Sequence, residues 1–242
     1  MSEELLELSA NDYLALFKER NALPKGHALK ISPSLLNSWK YLQNVSPARH
    51  AQAYKEFENT INRIPFPGNV WTERGTEFER LAVEEKVPAL ASIIELIKDC
   101  EYQEHLEGEI LVDNIPVYLH GYTDASDNVN QVIYDLKRKN KSSREEFRIS
   151  SQTDIYLLLK PEAKQMEYLV AISTSVLPIP YDLTFARYVF KREEMGDIAE
   201  RVRRDIRGLF AFLRANNLFD IYIKNFAVDA DRNSVNESVK LD

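Results

Sequence analysis

The 242-residue sequence contains a single cysteine, Cys100, so no disulfide can close within the chain and its own thiolates can build no zinc or iron–sulfur site. The four histidines, His27, His50, His105 and His120, lack the paired spacing of metal-binding imidazoles. No run approaches the roughly 18 apolar residues of a membrane span, and Met1-Ser2-Glu3-Glu4 opens acidic, without a basic and apolar leader. Neither a membrane segment nor a secretory signal is expected, and the expected location is the cytoplasm. Positive charge is also short: a formal net charge of −7 excludes a protein that coats nucleic acid by bulk charge and leaves only a local basic patch for such contact. There is no Gly-Lys-Ser/Thr loop for ATP phosphates and no internal repeat. What is present is ordinary globular material, 44% hydrophobic and 29% charged, long enough for one domain with a real core.

The hydrophobic period divides the chain. Ser2 to Arg20 reads as helix interrupted near Ser9-Ala10-Asn11-Asp12, and Asn21 to Ile31 as a linker. Ser32-Pro33 supplies an N-cap and a first-turn proline, with Leu35, Leu36, Trp39 and Leu42 on one helical face; Ser46-Pro47 signals a second helix. Ile64 to Asn69 is a turn-rich break, and Thr72 to about Asp99 reads as helix with Pro88 as a breaker. From Glu109 the period changes to that of strands. Ile110-Leu111-Val112 and Val117-Tyr118-Leu119-His120 flank Asp113-Asn114 as an antiparallel hairpin, and Val132-Ile133-Tyr134 is a third strand running into Asp135. Tyr168 to Ile172 and Phe185 to Phe190 read as further strands, Ser150 to Lys160 as a helix, and Met195 to Leu213 as a long amphipathic helix. This order predicts an α/β fold with a central mixed β-sheet flanked by helices. One domain is expected over residues 1–228, with a helical C-terminal part at about 191–216 and a polar tail at 229–242.

The chemistry concentrates in Gly121-Tyr122-Thr123-Asp124, ten residues, then Asp135-Leu136-Lys137. Acid-x-Lys alone is weak, since Glu84-Glu85-Lys86 and Glu162-Ala163-Lys164 repeat it. Only Asp135 ends an apolar strand and follows another strand that ends in its own acid, Asp124. Strand alternation puts Asp135 and Lys137 on one face and Leu136 on the other. Two carboxylates and an ammonium gathered at strand ends can hold a divalent cation beside an attacking water, which points to metal-dependent hydrolysis of a phosphodiester. The alternative is a hairpin carrying a surface Asp–Lys pair.

The segment resembles the core of the PD-(D/E)XK nuclease superfamily, in particular its RecB-type and phage lambda-exonuclease-type branches, with Thr123 in the place of the name's proline. Three further pieces lie in the expected order. Arg74-Gly75-Thr76-Glu77-Phe78-Glu79 resembles the upstream helix motif and nominates Glu79, with Glu77 or Glu73 as the alternatives on neighbouring faces. Gln152-Thr153-Asp154-Ile155-Tyr156 resembles the Gln-x-x-x-Tyr helix, and Ser32 to Trp39 the N-terminal Ser-x-Ser-x-Leu helix. Without the resemblance, Gln152 and Tyr156 read as an exposed polar residue over a packed ring. The resemblance covers about residues 31–172. It departs from the CRISPR-associated relatives, whose four cluster-binding cysteines are missing, and so implies a cluster-free phage or bacterial exonuclease.

The resemblance implies a restriction-endonuclease-like core that cuts DNA with Mg²⁺ or Mn²⁺ in recombination or repair. Asp124, Asp135, the Leu136 carbonyl and Glu79 would ligate the metal, and Lys137 would orient the attacking water. Gln152, Tyr156, Lys139 and Lys141 would bind or position the substrate strand; the run Lys137-Arg138-Lys139-Asn140-Lys141 suits a phosphate backbone. Arg201, Arg203, Arg204 and Arg207 read as the wet side of the last helix. Partners implied are DNA, a recombination or helicase protein, and further copies of the chain. The rival readings are a module that keeps the fold without turnover and a site-specific endonuclease.

Overall fold

Capping residues and prolines set the helices of the computed structural model, which describes residues 27–175, 183–229 and 239–240. The expected helix over Ser2 to Arg20 lies outside the described residues. Ser32 Oγ accepts the Leu35 N–H at 3.3 Å ahead of Pro33, opening α1 (Pro33–Asn44), and Pro47 opens α2 (Pro47–Ile61). Helix α3 (Val70–Val83) starts two residues earlier than the pattern suggests, because Asn69 and Thr72 form a reciprocal capping box. It ends at Glu84, ahead of Pro88; a 3₁₀ turn (Pro88–Leu90) and α4 (Ala91–Ile97) complete the expected helical stretch.

The described residues fall into two compact units. The first takes those of Met1–Phe66, Glu107–His120 and Val202–Asp242, and the second is Pro67–Leu106 with Gly121–Arg201. The strands, expected in one central sheet, divide over two five-stranded sheets. In the first sheet β1 (His27–Ile31) pairs in parallel with β4 (Ile115–Tyr122) and antiparallel with β9 (Ala227–Asp229); β3 (His105–Val112) lies between β4 and β10 (Val239–Lys240). Asp113 and Asn114, with φ of 50° and 65°, make the two-residue turn joining β3 to β4. Two sequence expectations fail here. Residues 27–31 are a buried strand, not a linker, and Val239–Lys240 in the presumed tail pairs with β3. Both are short segments whose strand character comes from sheet partners distant in sequence.

The second sheet runs β2 (Glu101–Tyr102), β5 (Ala125–Asp127), β6 (Val132–Lys139), β7 (Gln165–Ile172), β8 (Thr184–Lys191). β6 and β7 are parallel over their whole length and the other recorded pairings are antiparallel, so the sheet is mixed. Phe78, Leu81 and Ala82 of α3, with Leu90, Ile93 and Ile97, pack on Ala125, Val132, Tyr134, Leu136, Leu169 and Ala171. Each large apolar side chain buried there contributes about 1.5–3 kcal/mol. Pleating sends Ile133, Asp135 and Lys137 to the opposite face. There α5 (Arg144–Arg148) and α6 (Ser151–Leu159) follow, α6 capped by Ser150. The chain then reaches α7 (Ile198–Ala215) and α8 (Phe219–Phe226). Among the described residues, no helix is long and apolar enough to cross a membrane.

Candidate active site

The site is an unfinished sheet edge. β5 pairs with Val132, Ile133 and Tyr134 and goes no further, so past Tyr134, among the described residues, β6 is in register with β7 alone. The edge that β5 leaves is taken by a side chain: Asp124 Oδ2 accepts the Leu136 N–H at 2.7 Å. In an extended strand the N–H and C=O of one residue point to the same side, so the Leu136 carbonyl faces this edge too. Asp124 cannot wander, because the Thr123 N–H donates to Glu104 O at 3.0 Å and the buried Thr123 hydroxyl meets Ser126 Oγ at 3.0 Å.

Asp135 is fully buried. Its Oδ1 accepts from Gln152 Nε2, and Oδ2 lies 2.5 Å from Lys137 Nζ as an ion pair, without the alignment of a hydrogen bond. Burial pushes the Asp135 carboxyl above its usual range, and Asp124 adds to this against the pull of Lys137. Burial alone would push the Lys137 ammonium down, but Asp135 and Asp124 outweigh it and hold it protonated well above its ordinary value. Half-buried Glu79 belongs to the same electrostatic cluster: burial first, then Asp124 and Asp135, push it up to about 7. Glu77 instead pairs with Arg80 at 2.8 Å. Three carboxylates (Glu79, Asp124, Asp135) against one ammonium (Lys137) leave the ionised cluster with two negative charges in excess.

Helix α6 is clamped at both ends. Arg201 grips Asp154 with two hydrogen bonds of 2.8 and 3.0 Å, and buried Lys160 reaches Glu104 at 2.5 Å and Asn128 at 2.6 Å. Gln152, half a turn ahead of the first clamp, and Tyr156, between the two, face the site. The buried Tyr156 donates to Tyr122 O at 2.6 Å, and its ring lies so close to Gly121 that a Cβ there would meet Cε1 at 2.5 Å. Gln152 and Tyr156 therefore hold the two acid-bearing strands. Lys139 is paired with Glu146, whereas Lys141 is exposed. Sequence reasoning put Arg201 on the wet side of the last helix, where it is instead a clamp, and missed Tyr168, which stands opposite Asp135 in register and forms the buried wall beside it. Neither has a local signature: both act through tertiary pairing.

The donor set suits a hard cation: carboxylate oxygens, and the Leu136 carbonyl and Asp135 Oδ2, both of which face the Lys137 ammonium at 3.5 and 2.5 Å, a cation already standing where a metal would bind. Among the described residues no three His, Cys, Asp or Glu side chains already converge in a ligating arrangement.

No family model matches the sequence, and a search of curated proteins gives no match. Solved structures do match. The candidate exonuclease from Eubacterium rectale aligns over 97% of this chain and 96% of its own, with TM-score 0.52 and 10% identity. A phage-related exonuclease from Haemophilus somnus covers 82% of this chain and 95% of its own at TM-score 0.47 and 15% identity. An alkaline exonuclease from Laribacter hongkongensis covers 78% and 91% at TM-score 0.43 and 12% identity. At these identities the likeness speaks to fold, and the E. rectale structure carries it.

Proposed function

We propose that this chain, which has the restriction-endonuclease-like fold, is a metal-dependent deoxyribonuclease of the PD-(D/E)XK type that hydrolyses phosphodiesters. We further propose that it works from DNA ends in recombination or repair. The observation that carries the reading is the gathering of three carboxylates, Glu79, Asp124 and Asp135, around one ammonium, Lys137, beside the open edge of β6; a divalent cation bound there would favour their ionised forms. Asp124, Asp135, Glu79 and the Leu136 carbonyl would hold Mg²⁺ or Mn²⁺, which when bound supplies a Lewis acid for the phosphate oxygens and lowers the pKa of water. Ligation asks the Lys137 ammonium to withdraw from Asp135 Oδ2.

The chain's own groups divide the remaining tasks. Lys137, whose Nζ is held protonated by Asp135 and Asp124 before metal binds, would as an ammonium donate a hydrogen bond to the attacking water and stabilise the hydroxide form as charge develops. Gln152 fixes the rotamer of Asp135, and Tyr156 fixes the strand end that presents Asp124, through groups already locked by the clamps on α6. Lys141 offers its exposed ammonium to a phosphate, and Lys139 can do so only in competition with Glu146.

The test incubates the purified protein with end-labelled linear and covalently closed circular DNA in Mg²⁺, Mn²⁺ or EDTA. Products from linear DNA alone, abolished by EDTA, support the exonuclease; cut circles give an endonuclease. The absence of product with either metal overturns the reading in favour of a binding module.

A further inference from the structure

Trp71 is 50% exposed in the first turn of α3, the helix that carries Glu79 just over two turns later. One face of its indole is covered: the Arg74 guanidinium carbon sits 4.8 Å from the ring centroid. Arg74 is buried and tied to the sheet, donating to Asn140 Oδ1 at 3.3 Å and to Ser173 O at 3.2 Å, with its Nε left without a hydrogen-bond partner. Both acceptors are neutral, and among the described residues no carboxylate lies within ion-pair distance of Arg74. Asn140 directly follows the last residue of β6 and Ser173 the last residue of β7. Arg74 thus pins the indole beside the carboxyl ends of two parallel strands, the end of an α/β sheet where ligands collect. Asn140 stands three residues, about 10 Å of strand, beyond Lys137, and the exposed Lys141 comes next.

We propose that Trp71 is a stacking platform for one unpaired base of the substrate strand, the base lying on the indole face that Arg74 leaves open. This rests on the reading that the substrate is nucleic acid, and it specifies the form of that substrate: the base at Trp71 must have left its own stack. The positive charges of Arg74 and Lys141 draw the flanking phosphates towards the cluster around Lys137. Every base has a π-face, so such a platform tolerates any sequence. A protein partner or a second copy of the chain would seat aliphatic groups on the indole; a guanidinium beneath it that donates only to neutral acceptors, and the exposed Lys141 ammonium near it, match a polyanion better.

The experiment measures binding of a labelled single-stranded oligonucleotide and a blunt duplex to the full chain by anisotropy, in EDTA and in Ca²⁺. Trp71→Ala should weaken single-strand binding about 5- to 150-fold, the range of one lost base–aromatic stack, and affect the duplex less. Trp71→Phe should retain most of the affinity, and the single strand should quench tryptophan emission in the wild type but not in Trp71→Phe. Single-strand affinity unchanged in Trp71→Ala overturns the platform, as does a wild type that binds no single strand. So does a Trp71→Ala protein that binds DNA normally but sediments differently, which would make the indole a self-association contact. Trp71-dependent binding without cleavage in any metal leaves the platform standing and removes the nuclease; cleavage by the wild type with normal binding by Trp71→Ala does the reverse.

Discussion

Gly121→Ala should damage the site from behind without touching a charged group. The added Cβ would lie 2.5 Å from Tyr156 Cε1, against about 3.5–4.0 Å for relaxed carbon contacts, so the ring must retreat by roughly 1 Å. It has nowhere easy to go, being buried and hydrogen-bonded to Tyr122 O on a helix clamped at both ends. Overpacking of this kind costs about 1–3 kcal/mol, and loss of the hydroxyl's hydrogen bond about 1 kcal/mol more. For a chain of this size that is a fall in Tm of roughly 4–16 °C. Turnover should fall further than stability implies, on the order of a hundredfold, because a 1 Å shift of α6 also carries Gln152 away from Asp135. The assay is a double-mutant cycle of melting and cleavage with Tyr156→Leu. In the Tyr156→Leu background Gly121→Ala should cost much less, since the obstructing ring is gone. A Gly121→Ala protein that melts and cuts like the wild type, or an equal penalty in both backgrounds, would refute the close approach.

Millimolar Mn²⁺ should raise the wild-type Tm, since a ligand bound only by the folded state stabilises it by mass action, and should barely move the Asp124→Asn, Asp135→Asn double variant; equal rises would put the ion elsewhere. Without metal, Glu79 takes up a proton on folding, its pKa rising from 4.5 to about 7, so stability should be highest below pH 4.5 with respect to this group and decline as pH rises through about 7. Thermal melting across that window in EDTA should show a shallower decline for Glu79→Gln, and added Mg²⁺ should flatten the wild-type decline because the cation replaces the proton; identical slopes in both proteins would contradict the cluster. Lys137→Ala should lose on the order of a hundredfold or more in cleavage while still binding DNA in Ca²⁺, whereas Lys141→Ala should weaken binding and lower its salt dependence by about one counterion. Normal cutting by Lys137→Ala beside a dead Lys141→Ala would shift the register of the motif.

What the sequence made legible is what short-range chemistry dictates. Asp135 and Lys137 share a face because the strand period is two, Asp113 and Asn114 turn the hairpin because both tolerate positive φ, and Ser32, Ser150 and the prolines mark helix starts. The hidden part depends on where short strands stop. β5 is only three residues long, and its end before Asp135 is what frees the edge that Asp124 fills; no local pattern in Ala125–Asp127 announces it. His27–Ile31 was unreadable for the same reason, as a strand made by partners on both sides and interrupted in composition by Lys30. The basic run after Lys137 hides a difference that sequence does not show: Lys139 and Lys141 look equivalent, yet the chain folds Glu146 onto the first and leaves the second in solvent. The clamp between Arg201 and Asp154 joins helices 47 positions apart in sequence, where side-chain spacing carries no signal.

The most direct measurement of the central claim is the rate at which Asp135→Asn cuts end-labelled linear DNA in Mg²⁺, beside wild type of matched melting behaviour. The substitution keeps an oxygen for Gln152 and nearly the same volume, so it alters charge and little else at a buried position. The account predicts a folded protein with cleavage abolished and Mn²⁺ stabilisation sharply reduced. Near-normal turnover by a folded Asp135→Asn would mean that the carboxylate cluster on β6 is not where the phosphodiester is cut.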